Sequence, residues 1–367
     1  MDTELIYQLS LCQIPYIGNV HAKQLCDMFG SASAVFNASL HELGRIENIG
    51  EIKARSIKNY RDFARAEKEV DFIFKYGIKP LFLTDADYPQ RLLNCFDPPA
   101  LLFYKGVADL NTSRTVAIVG TRSNTEYGKS FTEKLVKALL GVNAVVVSGL
   151  AFGIDTVAHK SSLKYGIPTI GVVAHGLDTI YPPENTNLAK QMIKNGGLLT
   201  EFRSKTNPDK HNFPSRNRIV AGISDATIVV ESGLKGGSNI TANLAWGYNR
   251  DIFAVPGRIT DVKSEGCNRL IRENKAMLLD DPEHFITMMG WNEPEKKKRT
   301  LQKQLFPETN HVEKKLLELL KKDEDTCLEE LNFKSGFSSS SIASGLLNLE
   351  MQGILKVLPG KRFRLYD

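Results

Sequence analysis

The 367-residue sequence has two tryptophans and five cysteines. It also lacks any apolar run near the roughly 18 to 20 residues that a membrane-crossing helix needs. The cysteines, Cys12, Cys26, Cys95, Cys267 and Cys327, are scattered. No CxxC pair and no Cys/His cluster with zinc spacing exists, which argues against a disulfide framework and a structural metal. The opening residues MDTELIYQLSLCQIP carry neither the basic start nor the small-residue cleavage site of a signal peptide. The expected location is therefore the cytoplasm, with no membrane association. Charge of one sign is also scarce, at a formal net of +5. With 42% hydrophobic and 24% charged residues, the chain is neither disordered nor collagen-like, and it is long enough for two or three domains.

The small excess of charge is unevenly placed. Residues 1–80 and 309–367 are each neutral, 81–290 carry +3, and 291–308 carry +2. The last of these segments, WNEPEKKKRTLQKQLFPE, is polar and aperiodic and reads as a solvated linker.

The segment 81–290 reads as an α/β core. The runs Thr115–Val119, Ala144–Ser148, Thr169–Ala174, Ala226–Glu231 and Ile252–Val255 are apolar on both faces, as buried parallel strands are. Helical stretches lie between them at Lys129–Leu140, Thr156–Lys164, Asn187–Lys194 and Asn239–Ala245. The alternation predicts a Rossmann-like, doubly wound, mostly parallel sheet, with ligands bound outside the carboxyl ends of its strands.

Residues 1–80 read as helical. Ile14-Pro15-Tyr16-Ile17-Gly18 and Ile46-Glu47-Asn48-Ile49-Gly50 repeat the pattern I-x-x-I-G before a helix start. This is either a helix-hairpin-helix pair or a bundle that uses glycine only for its turns. The final 59 residues predict helices at Val312–Leu320, Cys327–Leu331 and Ser338–Met351. A hairpin of Ile354–Val357 and Arg362–Leu365 then closes around Pro359-Gly360-Lys361, and the whole reads as a winged helix. Ser338–Met351 contains no Lys or Arg, so a protein-contact or structural role is favoured over DNA reading.

Four strand-end loops carry the candidate chemistry. Val119-Gly120-Thr121-Arg122 follows a buried strand and precedes a helix start, as a backbone-and-cation cradle for a phosphate does. It fits neither G-x-G-x-x-G nor the P-loop spacing, because Gly120 stands eight residues before Gly128-Lys129-Ser130. Ser148-Gly149-Leu150-Ala151-Phe152-Gly153-Ile154-Asp155 ends the second strand. Asp155 is placed to cap a helix carrying His159, which is either an acid/base pair or, by preference, a cap beside a buried imidazole. In Lys210–Arg218, three cations, an asparagine and an aromatic suit a phosphodiester strand. Lys210, Arg216 and Arg218 would pair with phosphates, and Phe213 would offer a face to a base. Glu231–Thr241, containing Lys235-Gly236-Gly237-Ser238, is another anion cradle. No Ser/His/Asp order, metal cluster or carboxylate pair with catalytic spacing is present. The only nearby strand-end acids are Glu201 and Glu231.

Seven pieces together resemble one family. They are IVGTR (118–122), SGLAFGID…AH (148–159), GLD…YPPEN (176–185), GGLLTEF (196–202), FPSRNRIVAGISDATIVVES (213–232), GGSNITA (236–242) and AVPGR (254–258). In this order they resemble the DNA processing protein A family, also called Smf, which acts in natural transformation. The resemblance implies a core that binds and protects single-stranded DNA and loads the RecA recombinase onto it, without enzymatic turnover, catalytic residue, metal or cofactor. The family's DNA pocket falls here on Arg122, Lys210 and Phe213. Arg216, Asn217 and Arg218 lie in the same run, and Gly236-Gly237-Ser238 lie at the pocket edge. With the loop residues Gly120, Ser148, Gly149 and Lys235, these make the expected DNA-binding set. The resemblance also implies a homodimer through Asn268–Leu278, with Asn268, Leu270, Ile271, Met277 and Leu278 as its contacts. Asn274-Lys275 departs there from a common Gly-Ala pair. The rival is a nucleotide phosphoribohydrolase on a related core, which expects P-G-G-x-G-T where this chain has Leu234-Lys235-Gly236-Gly237-Ser238-Asn239.

Overall fold

The structure is a computed structural model and describes residues 3–292, 310–320, 326–352, 354–358 and 362–365. It divides into two units, Met1–Asn292 and Glu293–Asp367.

The first unit opens with six helices: α1 (Thr3–Leu11), α2 (Asn19–Phe29), α3 (Ala32–Asn37), α4 (Leu40–Gly44), α5 (Gly50–Asn59) and α6 (Phe63–Tyr76). The two I-x-x-I-G pieces form similar turns that diverge at the glycine, which takes φ −91° at Gly18 and +62° at Gly50. Tyr16 and Asn48, at equivalent positions, take φ of +69° and +67°, and the chain then enters α2 and α5. Ile14, Ile17, Ile46 and Ile49 are all buried, so the pattern's isoleucines anchor each turn to the helical core.

Strands and helices then alternate in the order β1 (Lys79–Phe82), α7 (Gln90–Leu93), β2 (Leu101–Gly106), β3 (Thr115–Val119), α8 (Glu126–Ala138), β4 (Val145–Ser148), α9 (Ile154–Lys164), β5 (Thr169–Val172), α10 (Thr186–Asn195) and β6 (Gly197–Thr200). The unit continues with α11 (Asn212–Ile223), β7 (Ala226–Val229), α12 (Gly237–Gly247), β8 (Asp251–Ala254), α13 (Glu265–Arg272), β9 (Met277–Leu278) and α14 (Pro282–Met288). The nine strands form one sheet in the order β1-β2-β6-β5-β4-β3-β7-β8-β9. From β6 to β9 every pairing is parallel, and β1 and β2 add an antiparallel margin.

Alternate residues of the central strands feed two cores. Val116 and Ile118 of β3 join Leu135, Val136 and Phe285 on one face. Ala117 and Val119 join a cluster on the other face that runs on through Leu81 and Leu102 into Leu9, Leu25 and Ile57 of the helices. The helical segment and the sheet thus share a core across residue 80. The chain winds outward from β3 through β4, β5 and β6, then returns to the other side of β3 with β7. That reversal opens a crevice beyond the carboxyl ends of β3 and β7, where doubly wound sheets take ligands.

The five expected strands are present, each within a few residues of its predicted ends. Four more were missed, β1, β2, β6 and β9. β1 contains Pro80, β6 begins at a glycine and β9 has two residues, so each gives a weak periodic signal. α8 starts three residues before its expected beginning because the Thr125 hydroxyl accepts from Gly128 N at 3.2 Å. Asp155 is not the cap of α9, contrary to expectation. It lies inside the first turn, and its carboxylate reaches back to Ala151 N at 3.3 Å.

In the second unit, α15 (His311–Leu319), β10 (Thr326–Cys327), α16 (Leu328–Ser335), α17 (Ser339–Met351), β11 (Leu355–Leu358) and β12 (Arg362–Leu365) enclose Leu316, Leu331, Ile342, Leu349 and Leu355. Its antiparallel sheet runs β10-β12-β11. Ser338 caps α17, accepting from Ser341 N at 3.3 Å. The hairpin tip 359–361 and linker positions 293–308 lie outside the described residues. Among the described residues no helix is long and apolar enough to cross a membrane.

Candidate nucleic-acid interface

A cleft of about 560 Å³ occupies the reversal point. Its walls are the ends of three strands. Gly120, Thr121 and Arg122 follow β3, Gly149 and Ala151 follow β4, and Ser232, Gly233 and Gly236 follow β7. Lys210, Phe213, Pro214, Arg216 and Asn217 close it from α11 and the turn before it. The first turn of α12 also lines it, and a helix N-terminus brings backbone N–H groups without intrahelical acceptors, suited to an anion.

Close backbone approach fixes this geometry at two glycines. Gly153 has φ +77°, and a Cβ there would run into the backbone of Thr121 and Arg122. The β3 and β4 loops therefore touch, and Ile154 N donates to Thr121 O at 3.2 Å. A Cβ on Gly149 would strike the guanidinium of Arg216.

The cations of the Lys210–Arg218 run divide into two kinds. Arg216 is buried, and its Nη1 donates to the carbonyls of Gly149 and Val172, while its Nε donates to Asn217 Oδ1 at 3.1 Å. Burial lowers its pKa to about 10, partly offset by Asp155. It therefore acts as a buried brace between the ends of β4 and β5. Arg218 pairs with Glu201 and donates to the Asp97 carbonyl, away from the cleft lining. Both arginines expected to pair with phosphates thus have protein oxygens as partners in this structure, and of the two only Arg216 also lines the cleft. Arg122 and Lys210 differ. Both are exposed, and neither makes an ion pair among the described residues. The Arg122 guanidinium lies 5.1 Å from the centroid of the half-buried Phe213 ring, as a cation–π contact.

Ser148 is also outside the lining. It is buried, and its hydroxyl donates to Ile118 O at 2.6 Å, joining β4 to β3. Lys235 is exposed but is likewise absent from the lining. Ser238 lines the cleft with its hydroxyl donated to Ser232 Oγ at 2.8 Å. Of the residues expected at a dimer contact, Leu270 is buried in the chain's own core. Asn268 is bound to both backbone groups of Gly257, at 3.2 and 2.9 Å. Met277 and Leu278 of edge strand β9 are exposed.

The acids and the imidazole have structural partners. Glu231 accepts from Thr125 N at 2.9 Å and from the Thr125 hydroxyl. Glu201 holds Arg218. Burial raises the pKa of Asp155, with Arg216 opposing. His159 is fully buried, with Nδ1 2.7 Å from Thr169 Oγ1, and burial lowers its pKa to about 3, so it is neutral. No group of three or more His, Cys, Asp or Glu positioned for a metal occurs among the described residues. The arrangement can hold a polyanion against Arg122 and Lys210 and can stack an aromatic ring on Phe213.

The family model of DNA recombination-mediator protein A matches residues 79–290, which carry the whole cleft. The chain belongs to that family. A helix-hairpin-helix model matches residues 5–69, the segment holding the two I-x-x-I-G turns. The Smf protein of Synechocystis is 32% identical over 99% of both chains. DNA processing protein DprA of Bacillus subtilis is 41% identical over 61% of this chain and 76% of its own. Among solved structures, DNA processing protein A of Streptococcus pneumoniae superposes with a TM-score of 0.66 at 33% identity, covering 77% of this chain and 96% of that one. The Helicobacter pylori protein of that name, described with its single-stranded DNA binding mode, gives a TM-score of 0.55 at 32% identity, covering 60% and 98%.

Two residues at this site were not anticipated from the sequence. Phe152 and Tyr181 line a recess that shares Arg122, Phe213 and Arg216 with the cleft. They stand in SGLAFGID and YPPEN, two of the pieces that carried the family resemblance, and that was the available signal.

Proposed function

We propose that the chain binds single-stranded DNA in this cleft, protects it, and hands it to the RecA recombinase during DNA uptake in the cytoplasm, without turning it over. The observation that carries the reading is the pair of exposed cations, Arg122 and Lys210, beside the half-buried Phe213 ring over glycine loops at the sheet's reversal point. Exposed cations serve phosphates and an aromatic face serves a base, which together suit a single strand of any sequence. The described binding mode of the Helicobacter pylori relative supports it. On this reading Glu231 and Glu201 fix loops, and Asp155, the one carboxylate in the cleft lining, is held by Ala151 N and Arg216 rather than serving as the phosphoribohydrolase rival's acid or base. We further assign the homodimer contact to the edge formed by Ile271, Met277 and Leu278, and read the second unit as a winged helix that meets protein.

Fluorescence anisotropy with labelled oligo-dT and its duplex tests the proposal. Binding of the strand is expected to exceed that of the duplex at every salt concentration and to weaken as salt rises. Removal of residues 300–367 should leave it intact. Equal affinity for both forms, or none for either, overturns the reading.

A further inference from the structure

The geometry points to a base-stacking platform, formed by Phe152 and Tyr181, that holds a second nucleobase next to the one facing Phe213. This rests on the single-strand reading of the cleft and adds residues that nothing in that reading requires.

Three observations carry it. First, Phe152 and Tyr181 are 42% and 43% exposed, on the loops that follow β4 and β5. Large rings left open to water beside an exposed arginine call for a partner. Second, the rings are grouped. Tyr181 lies 6.3 Å from Phe213, centroid to centroid, at 54°, and Phe152 lines the same recess with Arg122. Third, the recess itself holds only about 20 Å³ of open space. A space of that size takes about one water and is too small for a base. No base enters it, so a base would lie across the ring faces at its mouth, with its phosphate within reach of Arg122.

The recess contains no carboxylate. Its charged lining groups are Arg122 and the buried Arg216, so nothing there repels a phosphodiester. The platform's position is also fixed. Gly153, next to Phe152, is packed against the Thr121–Arg122 backbone, and the Tyr181 N–H donates to His175 Nε2 at 3.2 Å. A ring carried on backbone held this way needs less ordering on binding, which favours stacking.

The test compares two strands of equal length, oligo-dT and a strand of abasic deoxyribose phosphates, by anisotropy. The wild-type chain should bind oligo-dT more tightly than the abasic strand. Phe152→Leu with Tyr181→Leu should lose about tenfold or more on oligo-dT, since stacking contributes on the order of 1–3 kcal/mol per base, and should bind the abasic strand unchanged. Phe152→Tyr with Tyr181→Phe should keep wild-type affinity for both. Thermal melts within a degree or two of wild type show that the exposed substitutions leave the fold intact. If the leucine variant binds oligo-dT as wild type does, or loses affinity equally for both strands, the platform is overturned while the cleft reading stands. If the wild-type chain binds neither strand, the cleft reading fails and the platform with it.

Discussion

Replacing both Arg122 and Lys210 with alanine should lower affinity for oligo-dT by roughly 10²- to 10⁴-fold, with no change in fold stability beyond about 0.5 kcal/mol. The size follows from the two charge-assisted phosphate contacts removed, each contributing about 1.5–3 kcal/mol. The neutral effect on stability follows from exposure, since neither side chain makes an ion pair among the described residues. Because each phosphate contact releases condensed counterions, the salt slope should also flatten by about 0.7 per contact, or about 1.4 in all. The loss should be uniform across oligo-dT, oligo-dA and mixed strands, because phosphates carry no sequence information. Anisotropy at three or more salt concentrations, with a thermal melt of each protein, measures all three quantities. Unchanged affinity would remove these two cations from the site.

Arg216→Met should produce the opposite pattern, a large loss of stability. The guanidinium is buried and donates to two strand-end carbonyls, with Asp155 nearby at the start of α9. Methionine fills much of the same volume but leaves Gly149 O and Val172 O without that donor and Asp155 without its compensating charge. Breaking a buried charge arrangement from one side costs about 3–5 kcal/mol, a large share of the 5–15 kcal/mol typical of a whole domain. Urea unfolding measures it. Asp155→Leu added to Arg216→Met should recover part of the loss, because the stranded carboxylate is then gone. A shift in DNA affinity with unaltered stability would instead place Arg216 among the DNA contacts.

These two results separate cations that look alike in the sequence. Lys210, Arg216 and Arg218 stand within nine residues, and composition cannot say which of them meets water. The answer depends on α11, whose inner face Arg216 shares with Ile219 and Val220, and on Glu201, seventeen residues upstream, which takes Arg218. The parallel strands were legible because both faces are apolar, and the glycines at 120, 149, 236 and 237 were legible as loop positions. Ser148 was misplaced by proximity, since its position at the end of β4 turns the hydroxyl toward β3 and away from the cleft. Phe152 and Tyr181 escaped notice because they stand about 30 to 60 residues from the basic run, and only the order β5-β4-β3-β7 brings them together.

The most direct measurement is of where the strand touches the protein. Ultraviolet cross-linking of bound oligo-dT, followed by mass spectrometry of the digested protein, should attach nucleotide to peptides containing Phe213, with Phe152 or Tyr181 peptides second. Cross-links confined to residues 5–69 or 310–365, with none in the cleft, would contradict the account.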